Sequence, residues 1–191
     1  MRLPMQAFSN GGVLAGAVLG QKVFVALIEQ TIAPPTPQVY YLDFTGVSVA
    51  TTSFLRESVI AYRRHARGHW TNVYPVIANL VPAVREELDN FLRDQGDAFV
   101  VCEIDNQERP TKISIVGRLD GKQDLTLRAV IEQGEVDAPT LAERFKTNEP
   151  ISSTAWNNRL ASLSAKGLVI EIGSGRGKRY RPVLRRLRYG T

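Results

Sequence analysis

Ser152-Ser153-Thr154-Ala155-Trp156-Asn157-Asn158-Arg159-Leu160-Ala161-Ser162-Leu163-Ser164-Ala165-Lys166-Gly167 is the stretch on which the reading of this chain turns. Trp156, Leu160 and Leu163 stand at i, i+4 and i+7, the spacing of one helical face, which predicts a helix from Ser152 to about Lys166 with that stripe packed inward. Thr154, Asn158 and Ala161 fall on the opposite side, with Ser153 and Asn157 near the N-terminal end. Residues 151–165 contain no Asp or Glu, whereas a face that only meets water tends to carry Glu and Lys. Small and amide-bearing side chains fit a DNA major groove, where asparagine pairs with adenine, and a helix N-terminus offers free N–H groups to a phosphate.

Working outward, two shorter helices are predicted upstream, Leu125–Gln133 ended by Gly134, and one opening at Asp137-Ala138-Pro139 with Leu141, Ala142 and Phe145 inward. Downstream, Leu168–Ile172 and Tyr180–Leu184 read as two strands joined by the tip Gly173-Ser174-Gly175-Arg176-Gly177-Lys178-Arg179. Leu141-Ala142-Glu143-Arg144-Phe145, Trp156–Leu160 and Leu163–Val169 in this order resemble bacterial winged-helix regulators over about residues 125–184. The resemblance implies an α+β winged helix-turn-helix domain within 121–191, followed by a basic tail, with double-stranded DNA as partner. Ser153, Thr154, Asn157 and Asn158 are the candidate base-reading residues; Arg176, Lys178 and Arg179 are the candidate phosphate contacts. A winged helix that serves only as a protein scaffold, and one that binds RNA, remain the alternatives.

Charge placement agrees with a polyanion partner for this part alone. The whole chain carries +5, but residues 122–191 hold 13 Lys and Arg against 7 Asp and Glu, while residues 1–121 hold 11 against 12. From Gly173 to Thr191 there are seven Lys and Arg and no acids. Phosphate neutralisation with counterion release would supply most of the sequence-independent affinity.

Residues 1–120 alternate helix and strand, the pattern of an α/β domain. A helix capped by Ser9-Asn10 is predicted over Gly11–Thr31, then a strand Val39–Phe44, a helix from Thr51-Thr52-Ser53 to about Arg67, a strand Val73–Asn79, a helix Pro82–Gln95, and strands Ala98–Ile104 and Lys112–Val116. The polar stretch Gly117–Gln123 is read as the boundary. Asp43-Phe44-Thr45-Gly46-Val47-Ser48-Val49-Ala50-Thr51-Thr52-Ser53-Phe54-Leu55 resembles the central motif of STAS domains, found in sulfate transporters and anti-sigma-factor antagonists. The resemblance spans about residues 9–117 and implies a mixed sheet with helices. In the antagonists a kinase phosphorylates the serine that aligns with Ser53, so Ser53 and Thr52 are candidate phosphosites and a kinase-like regulatory protein a candidate partner. Two departures stand out, Thr51 where an acid is usual and Phe54-Leu55 in place of Gly-Leu. The bland reading is that Thr52 or Ser53 simply caps the helix.

No enzyme site assembles from the sequence, and no catalytic residue, cofactor or metal is assigned. His65 and His69 are spaced to share a metal, but no third ligand accompanies them and Arg63, Arg64 and Arg67 repel a cation; the three arginines read as a solvated basic face. Asp43 has no base or nucleophile near it in sequence. Cys102, the single cysteine, sits in a buried strand pattern and cannot form an intramolecular disulfide. The apolar run Gly12–Gly20 is interrupted by Gln21-Lys22 and reads as an interior helix, so a cytoplasmic protein with no membrane partner is expected. The sum is a DNA-binding regulator with a STAS-like input domain, expected to pair as a homodimer. The competing reading is a signalling adaptor whose winged helix never meets DNA.

Overall fold

Val73–Ala78 (β5) is buried at all six positions, as a strand covered on both faces must be. In the computed structural model, which describes residues 1–173, 177–185 and 187, it is the centre of a mixed α/β fold. The sheet runs in the order β1 (Arg2–Pro4), β3 (Gln38–Asp43), β5, β6 (Ala98–Ile104), β7 (Pro110–Gly117). The first four strands are parallel, and β7 closes the sheet antiparallel to β6.

Strand alternation divides the interior into two cores. Tyr40 and Leu42 of β3, Val73 and Ile77 of β5, and Phe99 and Val101 of β6 point to one face. They meet α1 (Ala17–Gln30), the continuous helical segment of α2 (Thr52–Leu55), a π-helical turn (Arg56–Ile60) and α3 (Ala61–His69), and α4 (Pro82–Asp94). Tyr74, Val76, Ala78, Ala98, Val100 and Cys102 point the other way. They share a second core with Leu127, Leu141, Trp156, Leu160, Leu163 and Tyr180 from the C-terminal segment. That segment consists of α5 (Gly121–Gln133), α6 (Ala138–Arg144), α7 (Ser153–Ala165) and the antiparallel hairpin of β8 (Val169–Ile172) and β9 (Arg179–Pro182). Val136, between α5 and α6, bridges to Tyr180 and so adds one residue to the hairpin's edge.

Several expected boundaries move, each for a local reason. The first helix begins at Ala17, not Gly11, because Gly11, Gly12 and Gly16 all adopt positive φ, which helical backbone cannot contain. Val13–Leu14 (β2) instead pairs with Val49–Ala50 (β4). The cap of α2 is Thr51, not Thr52 or Ser53: its backbone is extended and its side chain accepts from the Phe54 N–H. The polar stretch Gly117–Gln123 runs from the last residue of β7 through a short link into the first turn of α5. Asp120 caps that helix by accepting from the N–H groups of Lys122 and Gln123. Gly117 ends β7 with φ 89°, where an added Cβ would lie 2.2 Å from the Asp97 carbonyl oxygen.

Among the described residues no helix is long and apolar enough to cross a membrane.

Candidate nucleic-acid interface

Helix α7 is fixed at its start by Ser152, whose Oγ accepts from the Ala155 N–H at 3.2 Å. Trp156, Leu160 and Leu163 are fully buried, with Trp156 packed against Phe145 at 5.2 Å between ring centroids. The stripe expected to face inward therefore does so. Opposite it, Ser153, Thr154 and Asn158 are exposed, while Asn157 is half-buried. Asn157 lies on the flank that meets the hairpin, 3.3 Å from the Tyr180 hydroxyl, which also lies 3.2 Å from Glu171 Oε2. Burial, and then the Glu171 charge, push the Tyr180 phenol upward, so it remains a donor. Three of the four candidate base-reading residues thus share a free surface, and the fourth ties the helix to the hairpin.

The expected phosphate contacts do not share that freedom. Lys178 Nζ lies 2.7 Å from Glu171 Oε1, and Arg179 Nε lies 3.0 Å from Glu135 Oε1. Both pairs are partly exposed. Arg176 lies outside the described residues. Within α7, Arg159 reaches back to Glu149 in the preceding turn at 2.8 Å and stacks over Trp156.

The far end of α7 is fastened to the sheet by residues the sequence did not single out for this. Arg67 Nε donates to the Ser164 carbonyl at 3.0 Å, and its guanidinium lies 3.9 Å above the Tyr74 ring. Tyr74 in turn accepts from the Glu171 N–H at 3.1 Å. Lys166 Nζ reaches Asp97 Oδ1 at 2.9 Å, while Asp97 also pairs with buried Arg63, which donates to the Ala98 carbonyl at 2.6 Å. Arg63 and Arg67 are therefore anchors rather than members of a solvated face; only Arg64 of the three is exposed. Burial opposes the charge on Asp97, but Arg63 and Lys166 outweigh it and hold the carboxyl below its ordinary range. A signal was present in the register: Arg63 and Arg67 are i, i+4 on the helix side that also carries Tyr62 and Ala66, both buried.

At the start of α2, Thr52 gives both its N–H, at 3.1 Å, and its hydroxyl to Glu87. Ser53 Oγ lies 3.2 Å from Thr51 Oγ1 and is half-buried. A carboxylate thus already occupies the position that a phosphate on Thr52 would claim. Asp43, at the carboxyl end of β3, is buried among Arg2, Asn79 and Thr45. Burial raises its pKa, yet those donors more than offset this and hold it below the usual carboxylate value. It is an ionised acceptor that organises the strand ends. His65 and His69 stack at 4.2 Å between ring centroids. Cys102 is buried, and desolvation pushes its thiol up to about 12. Among the described residues no three His, Cys, Asp or Glu side chains are grouped to hold a metal ion.

Comparison with known proteins adds no identity: no family model, curated protein or solved structure matches the chain.

Proposed function

We propose that this chain is a regulator that binds double-stranded DNA through a winged helix-turn-helix formed by α5–α7 and the β8–β9 hairpin. The preceding sheet and helices are a STAS-like domain that receives a signal or a partner protein. The observation that carries the reading is the outer face of α7, where Ser153, Thr154 and Asn158 are exposed at the capped end of a helix whose sequence holds no acid. Asn157 adds an amide at the junction with the hairpin. Those groups meet base edges, and the hairpin cations Arg176, Lys178 and Arg179 meet the backbone. The pairs of Lys178 and Arg179 do not forbid this, because partly exposed ion pairs are worth only about 0–1 kcal/mol and a phosphate can replace the carboxylate. Two copies on a two-fold operator complete the reading. Ser53 is the residue through which a kinase-like partner would act on the first domain, adding negative charge at the positive end of a helix.

A second reading, an adaptor that binds only proteins, draws support from the same ion pairs, since they cancel much of the charge that would attract DNA. Fluorescence anisotropy with a random-sequence duplex, titrated from about 50 to 200 mM salt, separates the two. DNA binding requires affinity to fall steeply over that range, and the slope to flatten in an Arg176/Lys178/Arg179 triple alanine variant. Asn158→Ala should change preference among duplex sequences while leaving the salt slope intact. Absence of binding at low salt would select the adaptor.

A further inference from the structure

Arg181 and Arg185 have no acidic partner among the described residues. Both line a cavity of about 420 Å³ between the end of α5 and β9, with Ile131, Gln133, Pro182 and Leu187. Glu135 is also on its wall, but its carboxylate is already held by Arg179 at 3.0 Å. Gln133 Nε2 is buried and has no hydrogen-bond partner among the described residues. The cavity therefore gathers two guanidiniums that hold no carboxylate among the described residues, beside three apolar side chains, with the buried Gln133 amide behind its wall. Buried polar groups are nearly always paired, and one that is not marks a place where something else completes the set.

The chemistry that completes this set is an anion with an apolar body. Two guanidiniums match the oxygens of a carboxylate, and Ile131, Pro182 and Leu187 line the cavity for a ring or short chain. We propose that this cavity binds a small organic carboxylate. The site is separate from the outer face of α7. Tyr180 turns its hydroxyl toward Asn157 of that helix, so Arg181, its neighbour in β9, projects from the opposite face of the hairpin. The inference does not depend on DNA binding.

The test uses the full chain, labelled with nitrogen-15 and titrated with benzoate, benzyl alcohol and inorganic phosphate while the side-chain amide pair of Gln133 is followed by NMR. That pair is identified by its loss from the Gln133→Leu spectrum. Benzoate is expected to shift it saturably, with benzyl alcohol and phosphate each at least about tenfold weaker, a factor worth about 1.4 kcal/mol. The Arg181→Gln/Arg185→Gln variant should lose at least about the same factor for benzoate. Should that variant fail to fold, the single variants Arg181→Gln and Arg185→Gln, read at the Gly134 backbone amide, must show the loss. The proposal falls if benzoate gives no saturable shift, if benzyl alcohol or phosphate binds as well, or if the variants bind benzoate unchanged. It falls equally if a DNA duplex displaces benzoate from the site, since the two arginines would then serve the phosphate backbone.

Discussion

Asp97→Asn keeps the size of the side chain and removes the charge that faces Arg63 and Lys166. Arg63 is only 3% exposed, so the substitution leaves a guanidinium in the interior with a carbonyl for company and no counter-charge. Breaking a buried pair from one side costs about 3–5 kcal/mol, and we expect about 3 kcal/mol here because Ala98 still accepts from the guanidinium. Lys166 is more open, with 22% of its side chain exposed, and solvent screening reduces Lys166→Met to about 1 kcal/mol or less. Urea unfolding followed by tryptophan fluorescence measures both. Arg63→Met/Asp97→Leu should recover at least half of the loss, since apolar residues of similar volume replace buried pairs at little cost. The pH dependence follows from the depressed folded-state pKa of Asp97. Its contribution is complete above the unfolded value of about 3.9 and is lost as pH falls below that, through the folded value. The asparagine variant should accordingly be weaker at neutral pH but lose less stability than the parent on acidification below about pH 4. An Asp97→Asn protein within about 1 kcal/mol of the parent, or a double variant no better than the single one, would refute the reasoning.

Gly117→Ala places a Cβ 2.2 Å from the Asp97 carbonyl at φ 89°, and a loss of at least about 2 kcal/mol is expected by urea unfolding. Leu160→Ala opens a cavity in the second core and should cost about 2–5 kcal/mol by the same assay. Tyr74→Phe removes the acceptor of the Glu171 N–H, costing about 1 kcal/mol, with faster hydrogen exchange at Glu171 as the specific sign. Glu171→Gln frees Lys178 while retaining an oxygen for the Tyr180 hydroxyl. If Lys178 meets a phosphate, this variant binds a duplex more tightly and steepens the salt slope by up to about 0.9; an unchanged slope removes Lys178 from the interface.

Where side-chain periodicity alone decides an element, the sequence was enough. Strand Ala98–Ile104 and helix Pro82–Asp94 agree with the expectation at or within a residue of both ends, and Trp156, Leu160 and Leu163 are all buried. The errors arise where backbone conformation or tertiary contact decides. Gly11, Gly12 and Gly16 break the apolar run that resembled one long helix, and a glycine's sign of φ is not written in its neighbours. Arg2–Pro4 is too short to show alternation and is a strand only because β3 lies beside it. The misjudged arginines teach the same lesson. Arg63 and Arg67 stand in a run rich in Arg and His, which suggests water, yet each has found a partner from a distant segment: Asp97 for one, Ser164 and Tyr74 for the other. No local pattern reports such a pairing. On the outer face of α7, amide identity was legible from sequence, but the diversion of Asn157 toward Tyr180 depended on where β9 returns.

The charge surplus of residues 122–191 reads differently once the pairs are known. Its seven acids are all engaged: six hold Arg128, Arg144, Lys146, Arg159, Lys178 and Arg179, and Asp137 caps α6 by accepting from the Thr140 N–H. Lys166 is bound across the molecule to Asp97. The surplus that remains among the described residues of this segment is Lys122, Arg181 and Arg185, and none of these is one of the hairpin-tip residues that the sequence singled out. A cation held by a carboxylate presents a dipole to a distant ligand, and its field decays faster than that of a free charge. If the chain binds DNA as proposed, electrostatic steering would depend on the unpaired cations, whereas Lys178 and Arg179 would act only after contact, when a phosphate competes for them at close range. That distinction separates two quantities a binding experiment reports. The association rate should follow the unpaired arginines, and the residence time should follow the exchange of Glu171 and Glu135 for phosphate.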